Sequence, residues 1–277
     1  MCEIGEKFSN LTYYNDCMKK SMVDKLFFID HLPKNQDFAF VDFGCADGTM
    51  INFLTELYNG EEQENVYIGY DISDQMIDIA KTNYHGPMNF DVSFTTSWDN
   101  VVEKMKSLGS IRYKKVLILS SVIHEVYSYG DVNSIHDFWE HVINSDFDYI
   151  CVRDMCPYSD IDRNASHSDI NKIYMKSDCN WQINHFENVF GKITNQKNLI
   201  HFLLKYRWKI NWTREVHENY FPIYVGDLID NITSNRNYTI DYLERFRVPF
   251  LDKCIKEDFD IELEDFTHIK AIFTKKH

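Results

Sequence analysis

The chain has 277 residues, and its 43 acidic against 29 basic side chains give a formal net charge of −14. This balance excludes a protein whose whole surface binds nucleic acid. No apolar run approaches the roughly 18 residues of a membrane-spanning helix, and the first residues lack the basic and apolar regions of a secretory signal. The seven scattered cysteines form no close pair, so we expect reduced thiols and a cytoplasmic protein.

Strands and helices are predicted to alternate from residue 37 to residue 154. Five apolar runs are predicted as strands: Phe38–Phe43, Val66–Tyr70, Val92–Thr95, Val116–Leu119 and Tyr149–Val152. The segments Thr49–Tyr58, Asp74–Asn83 and Ser134–Asn144 carry apolar side chains at helical spacing. This alternation is typical of right-handed βαβ units. We therefore expect a Rossmann-like α/β fold, with a mostly parallel sheet and helices on both faces.

Three further segments flank this core. Residues 1–36 are predicted as an N-terminal helical segment. Residues 155–194 are polar and long for a loop, so we expect an insertion or lid after the fifth strand. Residues 195–277 are expected to complete the same domain, with a helix over Gln196–Tyr206 and a last strand close to the sheet edge over Thr267–Lys275.

A glycine-containing loop joins the first predicted strand to the first helix. It reads Asp42-Phe43-Gly44-Cys45-Ala46-Asp47-Gly48, and its glycines allow a tight turn and a close approach to a ligand. A dinucleotide fingerprint needs a third glycine where Thr49 stands, so a nicotinamide dinucleotide fits poorly. Because Asp42 would repel a pyrophosphate, the loop favours a ligand that carries positive charge.

This loop resembles the first motif of class I S-adenosylmethionine-dependent methyltransferases, acid-x-Gly-x-Gly-x-Gly, with Ala46 at the middle glycine. The segment Gly69-Tyr70-Asp71-Ile72-Ser73-Asp74-Gln75-Met76 resembles the end of that family's second strand. The resemblance implies a seven-stranded sheet and S-adenosylmethionine (SAM) as cofactor. It also implies that Asp71 binds the two ribose hydroxyls, and that Met76 packs on the adenine.

The ends of the third and fourth predicted strands complete the implied cofactor site. Thr95-Thr96-Ser97-Trp98 stands where the family contacts the adenine edge. Ser120-Ser121-Val122-Ile123-His124-Glu125 resembles the family's fourth motif without the Asn/Asp-Pro-Pro-aromatic signature, so methylation of DNA amino groups is not expected. The implied cofactor-binding residues are Asp42, Gly44, Cys45, Ala46, Gly48, Asp71, Ile72, Met76, Ser97, Trp98 and Ser120.

Three polar residues after the fourth and fifth strands are candidates for catalysis. His124 lies where open α/β sheets bind their ligands, and its near-neutral pKa suits a general base. Glu125 can orient that imidazole or contact the substrate, and Arg153 can bind an acceptor carboxylate or phosphate. Alternatively, His124 caps a loop and Arg153 pairs with a neighbouring acid. No spacing of side chains marks a metal site.

Two other groups of residues have competing interpretations. Tyr13, Tyr14, Met18 and Lys25 belong to a segment that covers the cofactor in many relatives, but core packing explains the same spacing. The segment from Lys205 to Arg214 holds four basic and three aromatic residues. Such a patch can bind single-stranded nucleic acid, or it can be a helix end whose aromatic side chains enter the core. The acids that follow it favour the second interpretation.

The resemblance implies methyl transfer from SAM, with His124 as the candidate base. We expect a small-molecule acceptor with a hydroxyl or another non-DNA group, enclosed by Met155–Gly191 and the N-terminal helices. The first alternative is RNA or a nucleotide as acceptor. The second is a SAM-binding protein that transfers no methyl group, with a lyase-like or regulatory role.

Overall fold

The fold is built on one seven-stranded sheet. It is seen in a computed structural model that describes Met22 and residues 24–109, 112–234 and 237–276. The strands are β1 Asp37–Phe43, β2 Val66–Tyr70, β3 Asp91–Thr95, β4 Tyr113–Ser120, β5 Tyr149–Met155, β6 Tyr238–Phe246 and β7 His268–Lys275. Their order is β3-β2-β1-β4-β5-β7-β6, and β7 runs antiparallel to β5 and β6 while the other pairs are parallel. This seven-stranded, mostly parallel sheet confirms the predicted Rossmann-like α/β fold class.

Eleven α-helices occur among the described residues. They are α1 Thr49–Leu57, α2 Asp74–Asn83, α3 Trp98–Ser107, α4 Ile123–Tyr129, α5 Val132–Asn144, α6 His167–Tyr174, α7 Asn180–Phe190, α8 Gln196–Lys205, α9 Trp212–Glu215, α10 Val225–Thr233 and α11 Pro249–Phe259. Short polar side chains begin several of them: Ser73, Ser97, Asp131 and Asn195 each accept a hydrogen bond from the first turn. None of the described helices combines the length and apolar character needed to cross a membrane.

Both faces of the sheet are covered, because successive side chains of each strand point to opposite sides. On the first face, Ala39 and Val41 pack with apolar residues of α3, α5 and α10. On the second face, Phe38 and Phe40 pack with α1 and with the 3-10 turn Phe27–His31. The continuous apolar runs that predicted buried strands are explained by this double coverage.

A helical unit, formed by α6 to α9 together with α11, has its own apolar cluster. Ile173 and Phe186 are buried there against Phe202, Phe221 and residues of α11. The sequence prediction ended an insertion at residue 194, but this cluster continues across that boundary. The difference arises because the apolar residues of α6 and α7 are diluted by Asn and Asp, which conceals their helical spacing.

Candidate functional site

The glycine loop turns tightly at the carboxyl ends of β1 and β2. Gly44, Ala46 and Gly48 have φ angles of 76°, 46° and 77°. The N–H groups of Gly44 and Cys45 donate to the carbonyl of Tyr70, at 2.8 and 2.9 Å. A Cβ added to Gly44 would lie 2.7 Å from Cγ2 of Val122, so the loop packs directly against the segment between β4 and α4.

Asp71 is held against this loop. Its Oδ2 accepts a hydrogen bond from the N–H of Ala46 at 3.0 Å, and its Oδ1 accepts one from Ser73 at 2.9 Å. These two bonds orient the Asp71 carboxylate beside the glycine loop. Ile72 beside it is 83% exposed, whereas Met76 is buried. Met76, which was expected to pack on the adenine, therefore faces the core, and Ile72 offers the accessible apolar surface.

Asp42 is the last but one residue of β1 and is almost fully buried. Burial raises the pKa of Asp42 to about 7, with Lys25 opposing the rise and Asp71 and Asp47 adding to it. Burial likewise lowers the pKa of Lys25 to about 8. Three carboxylates thus converge on this edge, and their combined field favours a cationic ligand. Tyr13, Tyr14 and Met18, implied with Lys25 as a cover, lie outside the described residues.

Three further residues implied for cofactor binding have different environments. The indole of Trp98 is buried against Phe43 and Tyr70, with Nε1 donating to Ser145 Oγ at 3.3 Å, so it is a core side chain rather than an open surface. The Ser97 hydroxyl caps α3. The Ser120 Oγ is buried and has no hydrogen-bond partner among the described residues, which is unusual for a buried hydroxyl.

His124 forms a buried pair with Asp154, a residue whose role the sequence did not identify. Its Nδ1 lies 2.7 Å from Asp154 Oδ1, and the two residues are 5% and 2% exposed. Burial acts to lower the pKa of His124, but the charge and hydrogen bond of Asp154 outweigh it, and the pKa is raised. Asp154 also accepts from the N–H groups of Ile123 and Met155, both at 2.7 Å. These bonds and His124 lower its pKa despite burial.

The helical unit closes over His124 from the other side. The ring of Tyr220 meets the imidazole edge-on, with centroids 5.6 Å apart. Glu125 Oε1 lies 3.3 Å from Nη2 of Arg214, which also contacts Glu218 Oε1 at 2.6 Å. Glu125 therefore pairs with Arg214, and it is Asp154 that orients the imidazole of His124. Sequence reasoning missed Tyr220 and Glu218 because they are about 90 residues from His124 and belong to no motif.

Arg153 is an ion-paired residue. Its Nε and Nη2 donate to Asp24 Oδ2 at 3.1 and 3.0 Å, and its Nη1 donates to Ser121 Oγ at 3.1 Å. It points away from Asp154, because consecutive strand residues face opposite sides of the sheet. No group of three or more His, Cys, Asp or Glu side chains suited to a metal is found in the part of the chain that the structure describes.

The basic and aromatic segment from Lys205 to Arg214 does not form an open patch. Lys205 is fully buried, and its Nζ donates to the carbonyls of Glu215 and Glu218. Arg207 pairs with Asp258, and Trp212 is buried in the helical unit. With Arg214 also paired to acids, these contacts favour the helix-end interpretation over nucleic-acid binding.

No protein-family model and no curated protein matches the chain. A SAM-dependent methyltransferase from Methanosarcina mazei is 13% identical, with a TM-score of 0.43 over 89% of this chain and 96% of its own. The cyclopropane synthase MmaA2 from Mycobacterium tuberculosis is 8% identical, with a TM-score of 0.49 over 92% and 84%. LepI in complex with SAM is 9% identical, with a TM-score of 0.43 over 92% of this chain and only 46% of LepI. Because these TM-scores lie below 0.5, the fold assignment rests on the strand order.

Proposed function

We propose that the chain binds SAM at the carboxyl edge of its sheet and transfers the methyl group to a hydroxyl of a small molecule. The hydrogen bond between Ala46 N–H and Asp71 Oδ2 carries the proposal. It joins in one site the two segments that resemble the cofactor-binding motifs of class I methyltransferases. The fold supports the same assignment, since both segments lie at the edge where open α/β sheets bind ligands.

The residues at this edge fit such a cofactor. Asp71 is oriented beside the glycine loop, and a carboxylate is the group that accepts hydrogen bonds from ribose hydroxyls. The exposed Ile72 provides a surface for the adenine. The acidic surroundings of Asp42 suit a ligand with a positive sulfonium and an ammonium group. The buried Ser120 hydroxyl makes no hydrogen bond within the described residues, and a polar ligand can provide one. When bound, SAM supplies an electrophilic methyl group on its sulfonium.

His124 is proposed as the base that accepts the proton of the acceptor hydroxyl. Asp154 holds Nδ1, so Nε2 is the nitrogen left to face the acceptor, and it makes no hydrogen bond within the described residues. The Asp154 carboxylate keeps the imidazole in one tautomer and stabilises the imidazolium that forms. Burial of His124 beneath Tyr220 excludes water from the base. Asp154 is thus a positioning residue.

Calorimetric titration of SAM and S-adenosylhomocysteine tests the cofactor assignment. We expect micromolar binding by the wild type, about −8 kcal/mol, and at least tenfold weaker binding by Asp71→Asn. The matched control is Asp78→Asn, the same change on an exposed residue of α2, which should bind like the wild type. Absence of binding by the wild type, or equal binding by Asp71→Asn, would overturn the proposal.

The role of His124 is tested by counting S-adenosylhomocysteine formed with a panel of small hydroxyl compounds. We expect His124→Gln to keep its SAM affinity and to lose about 100-fold or more in turnover, the usual contribution of a general base. Equal turnover would remove His124 from the mechanism. Consumption of SAM without S-adenosylhomocysteine would identify the non-transferring alternative instead.

A further inference from the structure

Two cations lie side by side at the carboxyl end of β5. Arg153 and Lys270 are direct partners in the antiparallel pairing of β5 with β7, and their side chains are only 9% and 13% exposed. Like charges directly opposite each other on a sheet are destabilising, and desolvated charges require a counter-ion. This pair therefore needs an anion between or above its two members.

Asp24 supplies that anion from outside the sheet. Its Oδ2 accepts from Arg153, as described above, and its Oδ1 lies 2.6 Å from Nζ of Lys270. The cations belong to interior strands of the sheet, whereas Asp24 belongs to the segment that precedes β1 and is 28% exposed. The two cations are thus part of the sheet, whereas the carboxylate comes from a segment outside it.

The contacts of Asp24 indicate which anion can replace it. Glu244 lies 3.4 Å from Lys270, so without Asp24 the two cations keep one carboxylate partner. A ligand carboxylate is the same group as the one that Asp24 presents, and it can make the same contacts with Arg153 and Lys270. The ring of Phe246 lies 5.4 Å from Arg153 Cζ and 4.5 Å from Lys270 Nζ, so an aromatic surface adjoins the cations.

We propose that Arg153, Lys270 and Ser121 form a carboxylate-binding subsite for the acceptor, and that Asp24 occupies this subsite when no acceptor is bound. That the ligand of this subsite is the methyl acceptor rests on the proposed function. Arg153 and Asp154 are consecutive and face opposite sides of the sheet, so a ligand that reaches both Arg153 and His124 must extend over the end of β5. The substrate class is therefore a small hydroxylated carboxylic acid.

Asp24→Asn tests this subsite, with 4-hydroxybenzoate as the probe and calorimetry in the absence of SAM as the measurement. The variant keeps the size of the side chain and removes its charge, so we expect at least tenfold tighter binding than by the wild type. The neutral probe 4-hydroxybenzamide should show no such gain. Adding Arg153→Gln to Asp24→Asn should abolish the gain, because one of the two cations is then missing.

Several outcomes would overturn the subsite. They are equal affinity of wild type and Asp24→Asn, a gain that survives Arg153→Gln, or a gain shared by the neutral probe. Tighter binding of inorganic phosphate at matched ionic strength would overturn the choice of a carboxylate. Arg153→Gln alone keeps the test valid if Asp24→Asn does not fold: it should bind the probe at least tenfold more weakly than the wild type, and equal binding refutes the subsite. A failed SAM titration of the wild type would count against the proposed function alone.

Discussion

Replacing Asp154 by Asn should destabilise the protein and lower the pKa of His124. Asp154 is 2% exposed, and its two oxygens accept from His124 Nδ1 and from the N–H groups of Ile123 and Met155. An asparagine has one acceptor oxygen. If that oxygen takes the place of Oδ1, the amide NH2 faces the N–H of Ile123, and one buried hydrogen bond is replaced by two opposed donors.

The expected loss follows from these contacts. A hydrogen bond to a charged group contributes about 1.5–3 kcal/mol, and breaking a buried ion pair costs about 3–5 kcal/mol. We therefore expect Asp154→Asn to lower the free energy of unfolding by about 3 kcal/mol. The control is Asp91→Asn, which breaks a surface pair with Lys104 and should cost at most about 1 kcal/mol.

The effect of Asp154→Asn should depend on pH in a defined direction. The pKa of His124 is raised in the folded state. The stabilisation that its protonation contributes is therefore fully present below the ordinary pKa of 6.5, and it is lost as the pH rises through the folded pKa. The pKa of Asp154 is lowered in the folded state. The stabilisation that its ionised form contributes is therefore present above pH 3.8, and it is lost as the pH falls through the folded pKa. The difference in the free energy of unfolding between Asp154→Asn and the wild type should therefore be largest between about pH 4 and pH 6.5.

Urea unfolding of the wild type, Asp154→Asn, His124→Gln and the double variant measures the stability and the coupling energy. NMR titration of the imidazole resonances, assigned by the loss of signals in His124→Gln, measures the pKa. We expect a coupling energy of at least about 1.5 kcal/mol. A loss below about 1 kcal/mol in Asp154→Asn, or an unchanged pKa of His124, would refute the described pairing.

Two further substitutions test the loop and the helical unit. Gly44→Ala should cost at least about 1–2 kcal/mol in urea unfolding, because φ is +76° and the new Cβ meets Val122 at 2.7 Å; the same substitution should cost less in a Val122→Ala background. Equal costs in the two backgrounds would contradict the described contact. Phe202→Ala should cost about 3–5 kcal/mol because Phe202 is fully buried, whereas Phe250→Ala, at a position 51% exposed, should change stability by less than about 0.5 kcal/mol. Similar losses in these two variants would contradict the packing of the helical unit.

The centre of the sheet was predictable because its strands are buried on both faces. Phe38–Phe43 and Val66–Tyr70 are continuous apolar runs. Such a run identifies a buried strand even when its partner strand is not known. β6 was not predicted. It lies at the edge of the sheet, and its burial alternates along Tyr238–Phe246 with charged residues on the open side. β7 was expected close to the edge, and it lies second from it, between β5 and β6.

The candidate cofactor site was predictable from local sequence, since the glycine loop and Asp71 belong to two short motifs at adjacent strand ends. Trp98 shows where such reasoning fails: the same motif position can expose an aromatic ring or bury it. Here the first face of the sheet needs a large side chain between Phe43 and Tyr70, and the indole fills that space. A motif gives the backbone position, and tertiary packing decides the direction of the side chain.

The residues of the proposed acceptor site come from distant parts of the chain and belong to no local motif. His124 receives Asp154 from the next strand and Tyr220 from the helical unit, and Arg153 receives Asp24 from the segment before β1. Each of these contacts offsets a buried charge or covers a ring, so each is set by the finished fold and not by spacing. Changes in the helical unit or before β1 can therefore alter the acceptor while the cofactor motifs stay intact. On the proposed function, variants of Tyr220 or Asp24 should change which acceptor is used, and they should leave the affinity for SAM close to that of the wild type.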